Sequence, residues 1–186
     1  MSVDSREVRL VKSCLTGDSA SARLLVQQLE QPVASVCLRM LKHTQDTEDI
    51  VQEVFLRFFR SLDRWDSGRP LLPWILTIAV NCCRTALKKR TRLPVPTETI
   101  EAFAESTENE HSEIEESIEH ALTGMRSEYR TCFSLYYFGE LSVEQIGEIM
   151  DRPPGTIKTW LFRVRKNLAT RLTQLGYGPE ANDGLS

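Results

Sequence analysis

Pro153 and Pro154 cut a run of helical periodicity that otherwise extends from Glu140 to Leu172. A helix cannot continue through them, because neither supplies a backbone N–H and each ring blocks the preceding turn. Upstream, Ser142 is placed to cap a helix, with Gln145 three residues later completing a capping box. Val143, Ile146, Ile149 and Met150 then recur at the spacing of one buried face. Downstream, Pro154 suits the first turn of a second helix, where a missing donor costs little. There Ile157, Leu161, Val164, Leu168 and Leu172 form an apolar stripe, and Thr156, Lys158, Thr159, Phe162, Arg163 and Lys166 occupy the opposite side. Two amphipathic helices joined by a tight break, the second with hydroxyls and cations outward, predict a helix-turn-helix. Many all-α domains with this pattern never touch DNA. Charge separates the two cases. From Arg152 to Arg171 there are six cations and no acid, in a chain of net charge -3. A one-signed cationic helix on an acidic protein calls for a polyanionic partner.

The net charge conceals segregation. Residues 1–92 carry +5, residues 93–120 carry -9 from nine Glu with no Lys or Arg, and residues 121–186 carry +1. The acidity belongs to the middle and says little about the partners of the two ends. The 41% hydrophobic and 26% charged content fits a globular protein. No run approaches the ~18 apolar residues of a membrane span, so no membrane insertion is expected. The opening MSVDSREVRLVKSC mixes acids with bases and lacks a long apolar centre, so it does not read as a signal peptide and a cytoplasmic location is expected.

Cys14, Cys37, Cys82, Cys83 and Cys132 form no C-x-x-C pair, and their odd number argues against a disulfide framework. They read as small core hydrophobes. His43, His111 and His120 are scattered without metal-ligand spacing, so neither a metal nor a cofactor is expected. No Gly-rich phosphate loop or nucleophile motif suggests an enzyme.

The fold class expected is all-α, as two small helical domains joined by an acidic linker. The first, residues 1–92, is a helical bundle. Residues 4–16 carry Val8, Val11 and Leu15 inward, with Gly17 as a stop, and residues 19–30 carry Ala20, Leu24, Leu25 and Leu29. Pro32 is expected to open the next helix, over Val33, Val36, Cys37, Met40 and Leu41. Asp46 is the expected N-cap of DTEDIVQEVFLRFFRSL, whose wide apolar face runs from Ile50 to Leu62. Asp49, Gln52, Glu53 and Leu56 lie off that face, as a solvated surface or a docking surface; periodicity does not choose. The loop DRWDSGRP at 63–70 carries Trp65 and Arg69. It can hold an unstacked base, or it is a connector whose Trp tucks into the core, which its sequence alone favours. A helix over about 72–90 presents Thr77, Asn81, Arg84, Thr85 and Lys88 on one face. It ends in Lys88, Lys89, Arg90 and Arg92, giving five bases and no acid from Arg84 to Arg92.

Residues 93–113, rich in Pro and Glu, read as an extended, solvated linker. A second domain follows over 114–175. Ile118, Leu122 and Met125 mark a first helix. Ser127 caps a second, with Tyr129, Cys132, Phe133, Tyr136 and Tyr137 as core candidates and Gly139 as its stop, and the helix-turn-helix completes the unit. Residues 176–186 are expected to be a disordered tail.

Three stretches carry a resemblance: DTEDIVQEVFLRFFR at 46–60, LPWILTIAVNCCRTALKKR at 72–90, and MRSEYRTCFSLYYFGELSVEQIGEIMDRPPGTIKTWLFRVRKNL at 125–168. In this order and separation the chain resembles bacterial sigma factors of the extracytoplasmic-function (ECF) type, the two-domain branch of the sigma-70-like family, over roughly residues 5–175. The resemblance implies partners: core RNA polymerase through its β′ clamp helices and β flap, promoter DNA, and an anti-sigma factor. It implies that Asp49, Gln52, Glu53 and Leu56 dock on polymerase. It also implies that Asn81, Arg84, Lys88, Lys89 and Arg90 read the −10 element, with Trp65 and Arg69 in a loop that takes up a flipped base. Thr156, Lys158, Thr159, Trp160, Arg163 and Lys166 would read the −35 element in the major groove. Thr85 stands where relatives often carry Asp, Thr159-Trp160 where they carry Ser-Arg, and Gly147 where they usually carry Ala. These departures bear on which promoter is read. The competing expectation is a stand-alone helix-turn-helix transcription regulator, with the N-terminal bundle as a dimerisation or sensing module.

Overall fold

The computed structural model describes residues 5–92, 113–175 and 177. The acidic stretch expected to be a linker therefore lies outside the described residues up to position 112, as does nearly all of the C-terminal tail. The described chain is all-α, with no strand among the described residues. In order the helices are α1 (Ser5–Leu15), α2 (Ser19–Leu41), α3 (Thr44–Ser61) and α4 (Leu71–Arg92), then α5 (Glu113–Thr123), α6 (Ser127–Tyr137), α7 (Val143–Met150) and α8 (Pro154–Gln174). A 3₁₀ turn, Leu62–Arg64, closes α3.

Gly17, at φ 92°, ends the α1 segment as expected. Asp18 then caps α2 by accepting from the Ala20 and Ser21 amides, and these bonds together with the Ser21 hydroxyl hold its carboxyl below the usual carboxylate range. Pro32 does not open a helix. It lies inside α2, which runs 23 residues without a break. An interior proline costs roughly 3 kcal/mol. Here Leu25, Leu29, Val33, Val36 and Cys37 are buried on both sides of it, so packing of one continuous face outweighs the lost bond. Asp46 is not the cap of α3 either. His43 is, accepting the Asp46 amide through Nδ1 at 3.2 Å, and Asp46 falls in the first turn where its charge suits the helix dipole. Ser127 likewise sits one position inside α6, after Arg126.

Helices α2, α3 and α4 pack around Phe58, Leu25, Ile75, Leu76 and Val36, all fully buried. Phe58 meets Phe59 at 5.1 Å and Trp74 at 5.4 Å between ring centroids. That core does not stop at α4. Cys132, Leu135, Leu141, Ile146, Ile149, Met150, Ile157 and Leu161 belong to the same contiguous cluster. A smaller cluster of Ala121, Leu122, Met125, Phe133, Val164 and Leu168 closes the far side of the C-terminal helices. Gly139 sits at the joint: a Cβ there would lie 2.7 Å from the Leu135 carbonyl and 3.0 Å from the Leu76 side chain of α4. Cys37, Cys82, Cys83 and Cys132 are buried, and Cys14 half-buried. The neighbouring Cys83 thiol and burial push the Cys37 thiol well above its usual value, and burial raises Cys132 to about 12. Leu15, Ala20 and Leu24, expected inward, are exposed, as is Tyr137.

Candidate nucleic-acid interface

Helices α7 and α8 form the helix-turn-helix. The Ser142–Gln145 capping box is complete, with the Gln145 amide donating to Ser142 Oγ at 3.2 Å and the Ser142 amide to Gln145 Oε1 at 2.9 Å. Asp151 ends α7 in the left-handed conformation at φ 55°. Pro154 is the first residue of α8. The turn passes so close to Gly147 that a Cβ there would stand 2.8 Å from the Arg152 carbonyl, which accounts for glycine at this position.

Ile157, Leu161, Val164 and Leu168 bury one face of α8. Lys158, Thr159, Phe162, Arg163 and Lys166 project to solvent on the other, and Thr156 is half-buried. The Arg163 guanidinium donates to the Tyr129 hydroxyl at 2.9 Å, which holds it at the surface of α6. Trp160 is half-buried and packs against Tyr129 at 5.8 Å, so its ring braces α8 from the side. Phe162 is 65% exposed and stands on the cationic face. The sequence shows it there by periodicity alone. Arg165 donates to the Tyr137 hydroxyl at 2.8 Å, and that bond raises the pKa of its guanidinium. A helix with this surface presents hydroxyls, cations and one aromatic ring to a groove.

The basic face of α4 is placed differently. Asn81, Thr85, Lys88, Lys89 and Arg90 are exposed, and Arg90 pairs with Asp46 at 3.4 Å. Arg84 turns instead toward the C-terminal helices and donates to the Ile149 carbonyl at 3.5 Å and the Met150 carbonyl at 3.4 Å. In the loop after α3, Asp66 Oδ1 accepts the Gly68 amide at 2.8 Å and shapes the turn. Trp65 packs half-buried against the core, the connector arrangement that the loop sequence favours, and its buried Nε1 has no partner among the described residues. Arg69 is exposed and bridges loosely to Asp66 at 3.8 Å and Glu148 at 3.9 Å. Trp65 and Arg69 therefore do not form a single cup with the exposed face of α4.

Asp49, Gln52, Glu53 and Leu56 recur along one side of α3. Leu56 is 53% exposed, and Glu53 receives Arg57 Nε at 2.6 Å. An exposed leucine among carboxylates is poorly placed for the core and well placed for a partner helix. Arg39 belongs to none of the predicted sets. It contacts α5 and α6 from α2, and its sequence signal is a single cation beside the apolar positions of a buried helix. No group of His, Cys, Asp and Glu among the described residues is arranged to hold a metal. No described helix is long and apolar enough to cross a membrane.

Residues 25–93 match the family Sigma-70 region 2, and residues 115–168 match Sigma-70, region 4. The RNA polymerase sigma-H factor of Pseudomonas aeruginosa is 25% identical over 94% of this chain and 98% of its own. The ECF RNA polymerase sigma factor SigW of Bacillus subtilis is 28% identical over 89% of this chain and 96% of its own. Among solved structures, the sigma factor RpoE of Bartonella quintana, crystallised with the anti-sigma factor NepR, superimposes with a TM-score of 0.73 at 22% identity. That match covers 81% of this chain and 96% of the other.

Proposed function

The chain belongs to the extracytoplasmic-function branch of the sigma-70 family, and from that premise we propose that it binds core RNA polymerase and directs initiation at promoters bearing −10 and −35 elements. The observation that carries this reading is the pairing of two matched regions, in order, with a cationic groove-facing helix in the second. The protein does no covalent chemistry and acts in the cytoplasm. Residues 1–92 serve as the polymerase-docking and −10 module, 93–113 as the linker, 114–175 as the −35 module and 176–186 as a tail. Asp49, Gln52, Glu53 and Leu56 of α3 meet a helical partner on the polymerase β′ subunit, with Leu56 supplying apolar area and the carboxylates fixing register. On α8, Lys158 and Lys166 neutralise phosphates, and Arg163, Thr156 and Thr159 reach base edges. On α4, Asn81, Arg84, Lys88, Lys89 and Arg90 follow the opened strand. Trp65 and Arg69 take up an unstacked base once the loop is displaced from its resting arrangement. Polymerase holds the two modules at a fixed separation, so two weak contacts act as one bivalent site. An anti-sigma factor, such as the one bound to the Bartonella relative, is the expected antagonist.

Run-off transcription with purified core polymerase tests this. Adding the protein to core should produce discrete promoter-dependent transcripts that core alone does not make. Tight duplex binding without polymerase, and no transcript with it, would instead identify a stand-alone regulator.

A further inference from the structure

The two halves share a seam, and the seam takes up a residue assigned to DNA. Arg84 points its guanidinium at the carbonyls of Ile149 and Met150, the last residues of α7. The C-terminal end of a helix presents unpaired carbonyls and partial negative charge. To a guanidinium, those acceptors substitute for the oxygens of a nucleic-acid strand. The bonds are long, at 3.4 and 3.5 Å, and so are weak enough to exchange.

What closes the seam is Arg39 of α2. One of its nitrogens lies 2.6 Å from Glu119 of α5, and its guanidinium carbon stacks 3.6 Å from the centre of the Phe138 ring after α6. This ion pair is largely withdrawn from water, with side-chain exposures of 16% and 23%, so it is stronger than a surface pair. The field of Glu119 also reaches Lys42 at the end of α2. The fit is imperfect. Arg39 Nε is buried without a partner, and a cleft of about 70 Å³ remains beside Arg84, between Met40 and Leu87 on one side and Ser127, Thr131 and Met150 on the other. A seam with an orphaned donor and a gap at its centre is built to separate.

We propose that this packing is an autoinhibitory closed form, in which an Arg39–Glu119–Phe138 clasp holds the end of α7 over Arg84 and withholds the −10-reading face until the modules part. The inference rests on the assignment of Arg84 to the −10 element. With the open form at about one tenth of the population, apparent affinity for single-stranded DNA is about tenfold below its intrinsic value.

The test uses the full chain with dyes on α3 and α8 and a fluorescent, randomised single-stranded DNA 12-mer at low salt. R39E should lengthen the interdye distance and tighten DNA binding about tenfold, although it adds negative charge. R39E combined with E119R should restore the pair, shorten the distance and weaken binding again, although it adds positive charge. Both changes oppose a simple charge effect. An unaltered distance in R39E would overturn the clasp. A longer distance with unaltered binding would overturn the masking of Arg84. If R39E fails to fold by circular dichroism, Phe138→Ala removes the stacked ring and is read by the same two measurements. Run-off transcription with core polymerase, in parallel, separates the outcomes: loss of transcripts with every variant and the wild type strikes at the sigma assignment, while the distance and binding arms still decide the clasp.

Discussion

The two basic helices differ in what covers them. In α8 the apolar stripe is buried, and Lys158, Thr159, Phe162, Arg163 and Lys166 stand in solvent. In α4 the outer row of Asn81, Lys88, Lys89 and Arg90 is exposed, but Arg84 is drawn onto the end of α7. Composition treats these helices alike, since both are cation-rich and lack acids on the basic side. Tertiary packing makes one reader open and the other partly covered. Cationic content thus reports capacity for DNA, and only the long-range contacts report availability.

The largest perturbation tests whether the halves are one cooperative body. Phe58 is fully buried in a core that continues into α6, α7 and α8. Phe58→Ala should cost about 3–5 kcal/mol. It should also speed amide exchange in buried turns of α8 together with those of α4. Unchanged protection in α8 would break the picture of a shared core and leave two independent modules. Next in size is Arg163→Ala on the open helix. It removes a base-reading contact that contributes about 1–3 kcal/mol of discrimination. Transcription from promoters varied at −35 should lose selectivity while co-purification with core polymerase is retained, and loss of core binding would overturn the placement. The smallest effect belongs to the covered residue. Arg84→Ala in the isolated chain should change single-stranded DNA affinity by less than about 0.5 kcal/mol, as for a residue not engaged with the ligand. The same substitution in the polymerase-bound state should slow strand opening. An equal loss in both states would show that Arg84 is already available and abolish the contrast.

Local chemistry was the legible part. The Ser142–Gln145 box, the stop at Asp151, the start at Pro154 and the buried stripe of α8 each depend on residues within four positions of one another, and all stand as expected. Pro32 misled because a local penalty of the backbone yields to burial on both sides of it, which no short window contains. The caps at His43 and Arg126 in place of Asp46 and Ser127 reflect the usual freedom of helix ends by one to three residues. Leu24 and Tyr137 satisfied helical spacing yet face water, because periodicity identifies a stripe and not its edges. For the candidate site, the outward row of α8 was readable from its spacing. The fate of Arg84 was not, since its acceptors lie 65 and 66 positions away along the chain. Arg39 was invisible for the same reason.

The burial of four of the five cysteines has a practical consequence. Thiols alkylate as thiolates, and withdrawal from water both shields these sulfurs and suppresses their ionisation. Cys14, half-buried, would react with a maleimide ahead of the others, and the remaining four would follow only as fast as the surrounding helices breathe. The wild-type chain thus carries its own stopwatch for structural opening, readable by mass spectrometry without a single substitution.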